Sequence, residues 1–138
     1  MRETLKTASI VLVEDNPADV YLIRQALEEK GIRFKLTCFE DGEEALKKLS
    51  RADGQAPDLI LLDLNLPKTG GVEVLKAVRG MAKFADVPVA ILTSSESPAD
   101  KRRTALLGAA RYISKPSVLE EFFRVVGQGV EDLLRGRI

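Results

Sequence analysis

The sequence predicts an α/β fold: a doubly wound, five-stranded parallel sheet with five helices over its two faces. Leu59-Ile60-Leu61-Leu62 is an unbroken run of large aliphatics without polar alternation. Such a run suits a strand buried on both faces, at the centre of a parallel sheet. Comparable runs recur at Ile10-Val11-Leu12-Val13 and from Val87 to Thr93. Between the runs lie segments with apolar residues at helical spacing, several opened by an N-cap signature. Strands alternating with helices in this way form a parallel sheet covered on both sides.

Ser9 to Val13 is the first strand and ends on Glu14-Asp15. Asn16-Pro17-Ala18-Asp19 then starts a helix: Asn caps, Pro suits the first turn, and Asp19 complements the positive end of the helix dipole. This helix buries Val20, Ile23 and Leu27 and runs to about Lys30, where Gly31 stops it. Arg33 to Phe39 is the second strand. Its alternation of Phe34, Leu36 and Cys38 with Lys35 and Thr37 marks a half-exposed edge. Asp41-Gly42-Glu43-Glu44 repeats the capping signature and opens a helix carrying Ala45, Leu46 and Leu49.

A polar loop, Ala52 to Pro57, leads into the central strand, which closes on Asp63. Past Pro67, the flexible turn Lys68-Thr69-Gly70-Gly71 opens a third helix with Val72, Leu75, Val78 and Met81 or Ala82 inward. The fourth strand, Val87 to Thr93, leads to a cap at Ser97 and an alanine-rich helix to about Leu107. Its weak apolar stripe makes it the least firmly packed element expected. Arg111 to Ser114 is the fifth strand, ending at Lys115-Pro116. Ser117-Val118-Leu119-Glu120 reads as a capping box for the last helix, to about Leu134. An edge-type second strand and right-handed crossovers favour the flavodoxin-like order 2-1-3-4-5. Residues 1–138 are expected to be a single domain without an output domain.

Composition narrows the function. Lys plus Arg and Asp plus Glu are 21 each, so no net charge favours nucleic acid or an anionic membrane as partner. The chain has no histidine, which excludes a Ser-His-Asp triad, a His-ligated zinc site and a phosphohistidine of its own. The single Cys38 cannot form an internal disulfide. Met1 to Ser9 is short and polar, and the apolar run after it is too short for a signal peptide or a membrane span. A cytoplasmic protein is expected.

The strand ends gather the chemistry. In the 2-1-3-4-5 order, Glu14 and Asp15 from strand one lie beside Asp63 from strand three, at the carboxyl edge where ligands bind. Carboxylates so close repel one another, and a hard divalent cation resolves the conflict; all-oxygen ligation suits Mg²⁺ or Mn²⁺. Thr93 adds a hydroxyl and Lys115 an ammonium, completing a cradle for a transferring phosphoryl group. Taken singly, each of these residues has a plain role as a cap, turn or solvated side chain. Five suitable residues at one sheet edge are harder to obtain by accident.

Glu14-Asp15, Asp63, Thr93-Ser94 and Lys115-Pro116, in this order and spacing, resemble the receiver domain of two-component response regulators, the CheY-like family. The resemblance covers roughly Ile10 to Leu134 and includes the small-residue approach Leu107-Gly108-Ala109-Ala110-Arg111-Tyr112-Ile113. It implies that Asp63 accepts a phosphoryl group from the phosphohistidine of a sensor histidine kinase. Mg²⁺ would be held by Asp15, Asp63 and the backbone carbonyl of Asn65. Glu14 stands where Asp is commoner, and its longer arm would reach the metal through water. Thr93 and Lys115 would contact the phosphoryl oxygens, and Tyr112 would follow Thr93 as a switch. Asn65 and Ser95 would tune the lifetime of the acyl phosphate, and the Lys115–Pro116 bond would be cis.

Glu14-Asp15-Asn16-Pro17-Ala18-Asp19, Leu64-Asn65-Leu66-Pro67-Lys68 and Leu92-Thr93-Ser94-Ser95 further resemble the small stand-alone regulators paired with bacterial phytochrome kinases. The resemblance implies a signalling protein that catalyses only its own phosphorylation and dephosphorylation, with a protein contact as output. The last helix, with Leu119, Phe122, Phe123, Val126, Val130, Leu133 and Leu134 at helical spacing, offers a homodimer face. Gly127 and Gly129 within it would permit a bend or a close approach. Two alternatives compete. Asp63-Leu64-Asn65 superficially resembles the Asp-x-Asp of haloacid-dehalogenase phosphatases, though its second acid is missing. The chain would otherwise be a pseudo-receiver, a scaffold that works without phosphorylation.

Overall fold

The structure is a computed structural model, and it describes residues 6–51 and 54–136. The first two residues of the expected polar loop, Ala52 and Asp53, and the polar start at 1–5 lie outside the described residues. The elements run β1 (Ala8–Val13), α1 (Pro17–Glu29), β2 (Phe34–Phe39), α2 (Gly42–Leu49), β3 (Leu59–Leu62) and α3 (Gly71–Arg79). After a 3-10 turn at Ala82–Phe84 come β4 (Val89–Thr93), α4 (Pro98–Leu106), β5 (Arg111–Ser114) and α5 (Leu119–Leu134). The strands form one parallel sheet in the order β2-β1-β3-β4-β5, as the sequence predicts.

Strand alternation divides the core in two, because successive side chains point to opposite faces. Ile10, Leu12, Leu59, Leu61, Ala90, Leu92 and Ile113 pack beneath α1 and α5 with Ile23, Leu27, Phe122, Val126 and Val130. Val11, Val13, Ile60, Leu62, Val89 and Ile91 pack on the other side with Ala45, Leu49, Val74, Leu75 and Val78. β3 is buried along its whole length, the reason it can be aliphatic at every position. β2 alternates half-buried and exposed residues over its first four positions, as an edge strand does.

Several helical details differ from expectation. In α1, Ala26 is buried and Val20 only half-buried, a stripe shifted towards α5. In α3, Val74 is buried and Val72 half-exposed, because the helix starts at Gly71, close against the β3 end. Ala82 is exposed, and the inward residue of its turn is Phe84. Arg79 Nη2 ties that turn down by donating to the carbonyls of Phe84 and Val87 at 2.7 and 2.6 Å. The turn before α3 takes its left-handed residue at Lys68 (φ 62°) rather than at a glycine. The expected Ser117 cap does not form: α5 begins one residue later, with Val118 at the cap and Glu120 and Glu121 facing the positive helix end.

α4 buries only Thr104 and leaves Leu106 82% exposed, so the sparse stripe is real. Along α5, Phe122, Val126, Val130 and Leu134 are consumed by packing inside the domain. Gly127 and Gly129 serve close approach: a Cβ on Gly129 would stand 2.8 Å from Ile113 Cδ1, and one on Gly127 3.2 Å from the Ala26 carbonyl oxygen.

Candidate functional site

Sheet register builds the site. Val13 pairs with Leu62, so the residues that follow, Glu14 and Asp63, stand side by side as their strands end. The Asp63 amide still donates to the Val13 carbonyl at 3.1 Å, which holds the two chains together at this point. Glu14 and Asp63 are buried, Asp15 is exposed, and oxygens of all three lie within 4.8 Å of one another. Thr93 closes β4 and pairs with Ser114, which places Lys115 just beyond. The Lys115 amide donates to the Thr93 carbonyl at 2.8 Å.

Lys115 crosses the edge to the carboxylates. Its Nζ lies 2.7 Å from Glu14 Oε1, 2.8 Å from Asp19 Oδ2 and 3.5 Å from Asp63 Oδ2. Asp19, an acid that the helix dipole at the start of α1 already explains, also pairs with Lys115 here. Its place in the site follows from α1 itself. Asn16 Oδ1 accepts from the Ala18 and Asp19 amides, and Pro17 starts the helix, turning Asp19 back towards Glu14. The other Glu14 oxygen, Oε2, accepts the Asn16 amide at 3.1 Å. Asn65 donates its amide to Asp63 Oδ1 at 3.2 Å and is exposed at the mouth.

Burial pushes the Glu14 carboxyl up to about 7. The Lys115 hydrogen bond opposes the rise and the Asp63 charge adds to it. Burial works against the Lys115 charge, yet the hydrogen bonds it donates to Asp19 and Glu14, with the Asp63 charge, hold its ammonium above the usual range.

Next to the carboxylates, the β4–α4 loop is tied from several sides. The Ser95 amide reaches Thr93 Oγ1 at 3.4 Å, and Ser95 Oγ donates to Asp100 Oδ2 at 2.7 Å. The Tyr112 hydroxyl donates to the Ser95 carbonyl at 2.9 Å, and Lys101 Nζ lies 5.8 Å from the Tyr112 ring centre. Thr93 and Tyr112 are thus linked through Ser95. The Ser95 hydroxyl is engaged by α4 rather than turned free towards the site. One expectation fails: no peptide bond among the described residues is cis, so Lys115–Pro116 is trans, the intrinsically favoured form.

The donor set fits a hard divalent cation. The carboxylate oxygens of Glu14, Asp15 and Asp63 lie within 4.8 Å of one another, a cluster of hard oxygen donors of the kind that Mg²⁺ or Mn²⁺ takes.

Comparison with known proteins agrees with this geometry. The family model for the response regulator receiver domain matches residues 10–126. The chain is 38% identical over 120 residues to the probable methanogenesis regulatory protein FilR2 of Methanothrix harundinacea (strain 6Ac), covering 85% of this chain and 77% of that protein. It is 36% identical over 126 residues to the response regulator Rcp1 of Synechocystis sp. (strain ATCC 27184 / PCC 6803 / Kazusa), covering 88% and 85%. The structure of Rcp1 in its Mn²⁺-bound form superposes with a TM-score of 0.84 at 32% identity, over 95% of this chain and 96% of that one. The phosphorylated cyanobacterial phytochrome response regulator RcpA superposes with a TM-score of 0.86 at 35% identity, over 96% and 97%. These matches set aside the haloacid-dehalogenase alternative. Among the described residues, no helix is long and apolar enough to cross a membrane. From Ile10 to Val126, the chain belongs to the response regulator receiver family, which works with histidine kinases and downstream targets in two-component signalling.

Proposed function

We propose that Asp63 accepts a phosphoryl group from the phosphohistidine of a sensor histidine kinase, and that the acyl phosphate changes the surface this protein presents to a partner. The observation that carries this reading is the setting of Asp63. It is a buried carboxylate at the end of the central strand, 3.5 Å from the Lys115 ammonium and clustered with Glu14 and Asp15. An Asp63 oxygen attacks phosphorus in line, the P–N bond to the kinase imidazole breaks, and the ring leaves with the bonding pair. Lys115 is placed to neutralise charge on the transferring oxygens, and the buried Thr93 hydroxyl is beside the same strand edge.

Asp15, Asp63 and the Asn65 carbonyl would hold Mg²⁺. When bound, this ion offsets the repulsion between carboxylate and phosphoryl group. Both Glu14 oxygens already have partners, which supports contact with the ion through water. Asn65 stands at the mouth, where a hydrolytic water would enter, and Ser95, two residues beyond Thr93, has its amide 3.4 Å from Thr93 Oγ1. These positions support a role in setting the acyl-phosphate lifetime.

The readout is a population shift in which Thr93 moves towards the phosphoryl group and the Tyr112–Ser95 link rearranges. Likeness to RcpA supports a phytochrome-type kinase as the partner. Self-association through α5 would use the exposed residues at its start, where Val118 and Leu119 are 58% and 52% exposed. A monomer by sedimentation at high concentration would remove it.

The test is incubation of the purified protein with acetyl phosphate, with and without Mg²⁺, followed by intact mass, with Asp63→Asn alongside. One phosphoryl group gained only with Mg²⁺, and only in the protein with Asp63, is expected. No gain under any condition would favour the pseudo-receiver.

A further inference from the structure

Lys115 faces more carboxylates than the transfer reaction needs. Its Nζ stands at hydrogen-bond distance from Glu14 (2.7 Å) and from Asp19 (2.8 Å), and farther, at 3.5 Å, from Asp63. An ammonium has only three donors, so two of them are committed to these anchors. The anchors differ in kind. Glu14 belongs to the group of acids that could hold a metal ion, together with Asp15 and Asp63. Asp19 lies outside that group, in the first turn of α1, with its side chain 25% exposed. A cation drawn into the site, reaching Glu14 through water, would compete with Lys115 for that carboxylate, whereas Asp19 is not one of the clustered acids.

We propose that Asp19 is the positioning residue for Lys115. It holds the ammonium beside Asp63 when Glu14 turns to the metal's bound water, and the contact is exchanged for a phosphoryl oxygen after transfer. The inference rests on the proposed phosphoryl-acceptor role of Asp63. It follows from the flexibility of a lysine stem, which has no fixed geometry without partners. With Glu14 engaged elsewhere and Asp19 removed, the ammonium would sample many rotamers, and the transfer step would have to order it again.

The test is a double-mutant cycle read by the rate of labelling with acetyl phosphate at saturating Mg²⁺. Asp19→Ala is expected to slow labelling about tenfold, the scale of one hydrogen bond to a charged group. Asp19→Asn keeps an oxygen within reach of Nζ and should recover most of that rate. In a Lys115→Ala background, Asp19→Ala should cause no further loss, which a merely structural role for Asp19 would not predict. Wild-type labelling by Asp19→Ala, or an equal loss with and without Lys115, would overturn the proposal.

A second measurement needs no phosphoryl transfer. The ¹⁵N ammonium resonance of Lys115 should be observable in the Mg²⁺-bound protein and broadened away in Asp19→Ala. Persistence of that resonance in the variant would overturn the anchoring. If the wild type fails to label while the resonance still depends on Asp19, the acceptor role of Asp63 fails and the anchoring stands.

Discussion

The Tyr112 hydroxyl donates to the backbone carbonyl of Ser95 at 2.9 Å, linking the middle of β5 to the loop that follows β4. Because Ser95 also bonds Thr93 through its amide and Asp100 through its hydroxyl, one short loop connects the site, the sheet edge and α4. Tyr112→Phe removes a single partly buried hydrogen bond, worth about 1 kcal/mol. Amides of residues 94–97 should then exchange about fivefold faster in hydrogen-exchange experiments, a change of that size in opening free energy. Unchanged protection would mean that the bonds of Ser95 to Thr93, Asp100 and Ser114 hold the loop without Tyr112.

The raised Glu14 carboxyl has a definite pH signature. Its folded value of about 7 lies above the ordinary 4.5, so between these values the folded protein binds more protons than the unfolded chain. The contribution of Glu14 to stability is therefore full below about pH 4.5 and is lost as pH rises towards about 7. In EDTA, urea unfolding should show stability falling from pH 5.5 to pH 7.5, by at most about 3 kcal/mol. A cation at the same carboxylates competes with that proton, so apparent Mg²⁺ affinity should rise over the same interval. A flat stability profile would place the Glu14 value near that of an ordinary carboxylate.

The parts legible from sequence were those in which one residue type meets one need. Asp63 closes the aliphatic run of β3, and Lys115 follows β5, so a strand pattern alone located both. The two-sided burial of β3 and the half-exposed β2 likewise set the strand order. Asp19 escaped notice because the dipole at the start of α1 already explained an acid there. Its contact with Lys115 spans 96 positions, and no local pattern reports such a pair. Phe84 was missed because a three-residue turn has no periodicity to read. Ser117 misled because a capping sequence is permissive: the chain enters α5 one residue later, and the box goes unused.

Gly71 sits where no side chain fits. A Cβ there would stand 2.2 Å from the Asp63 carbonyl oxygen and 2.6 Å from the Leu64 Cα, both backbone atoms that cannot swing aside. α3 begins at this residue, and the Gly71 amide donates to the Leu64 carbonyl at 3.2 Å. Gly71→Ala must push α3 away from the phosphoacceptor strand end. A loss of more than about 2 kcal/mol in urea unfolding is expected, in the range of strain at a tightly packed position. A near-wild-type midpoint would show that the Asp63–Asn65 segment yields readily.

Among the described residues, Lys115 is the only counter-charge within ion-pair distance of the buried Glu14 and Asp63 carboxylates. Its side chain is 9% exposed and that of Glu14 is 1% exposed, so water screens the pair little. Lys115→Ala should still fold, but at pH 8 without metal it leaves carboxylates buried unpaired. That is expected to destabilise by about 3 kcal/mol. At pH 5.5 Glu14 can take up a proton instead, as its raised value allows, and the loss should be smaller. Saturating Mg²⁺ at pH 8 supplies the missing positive charge and should recover most of the lost stability. An equal loss at both pH values, with no recovery by Mg²⁺, would locate the effect in side-chain packing rather than in charge.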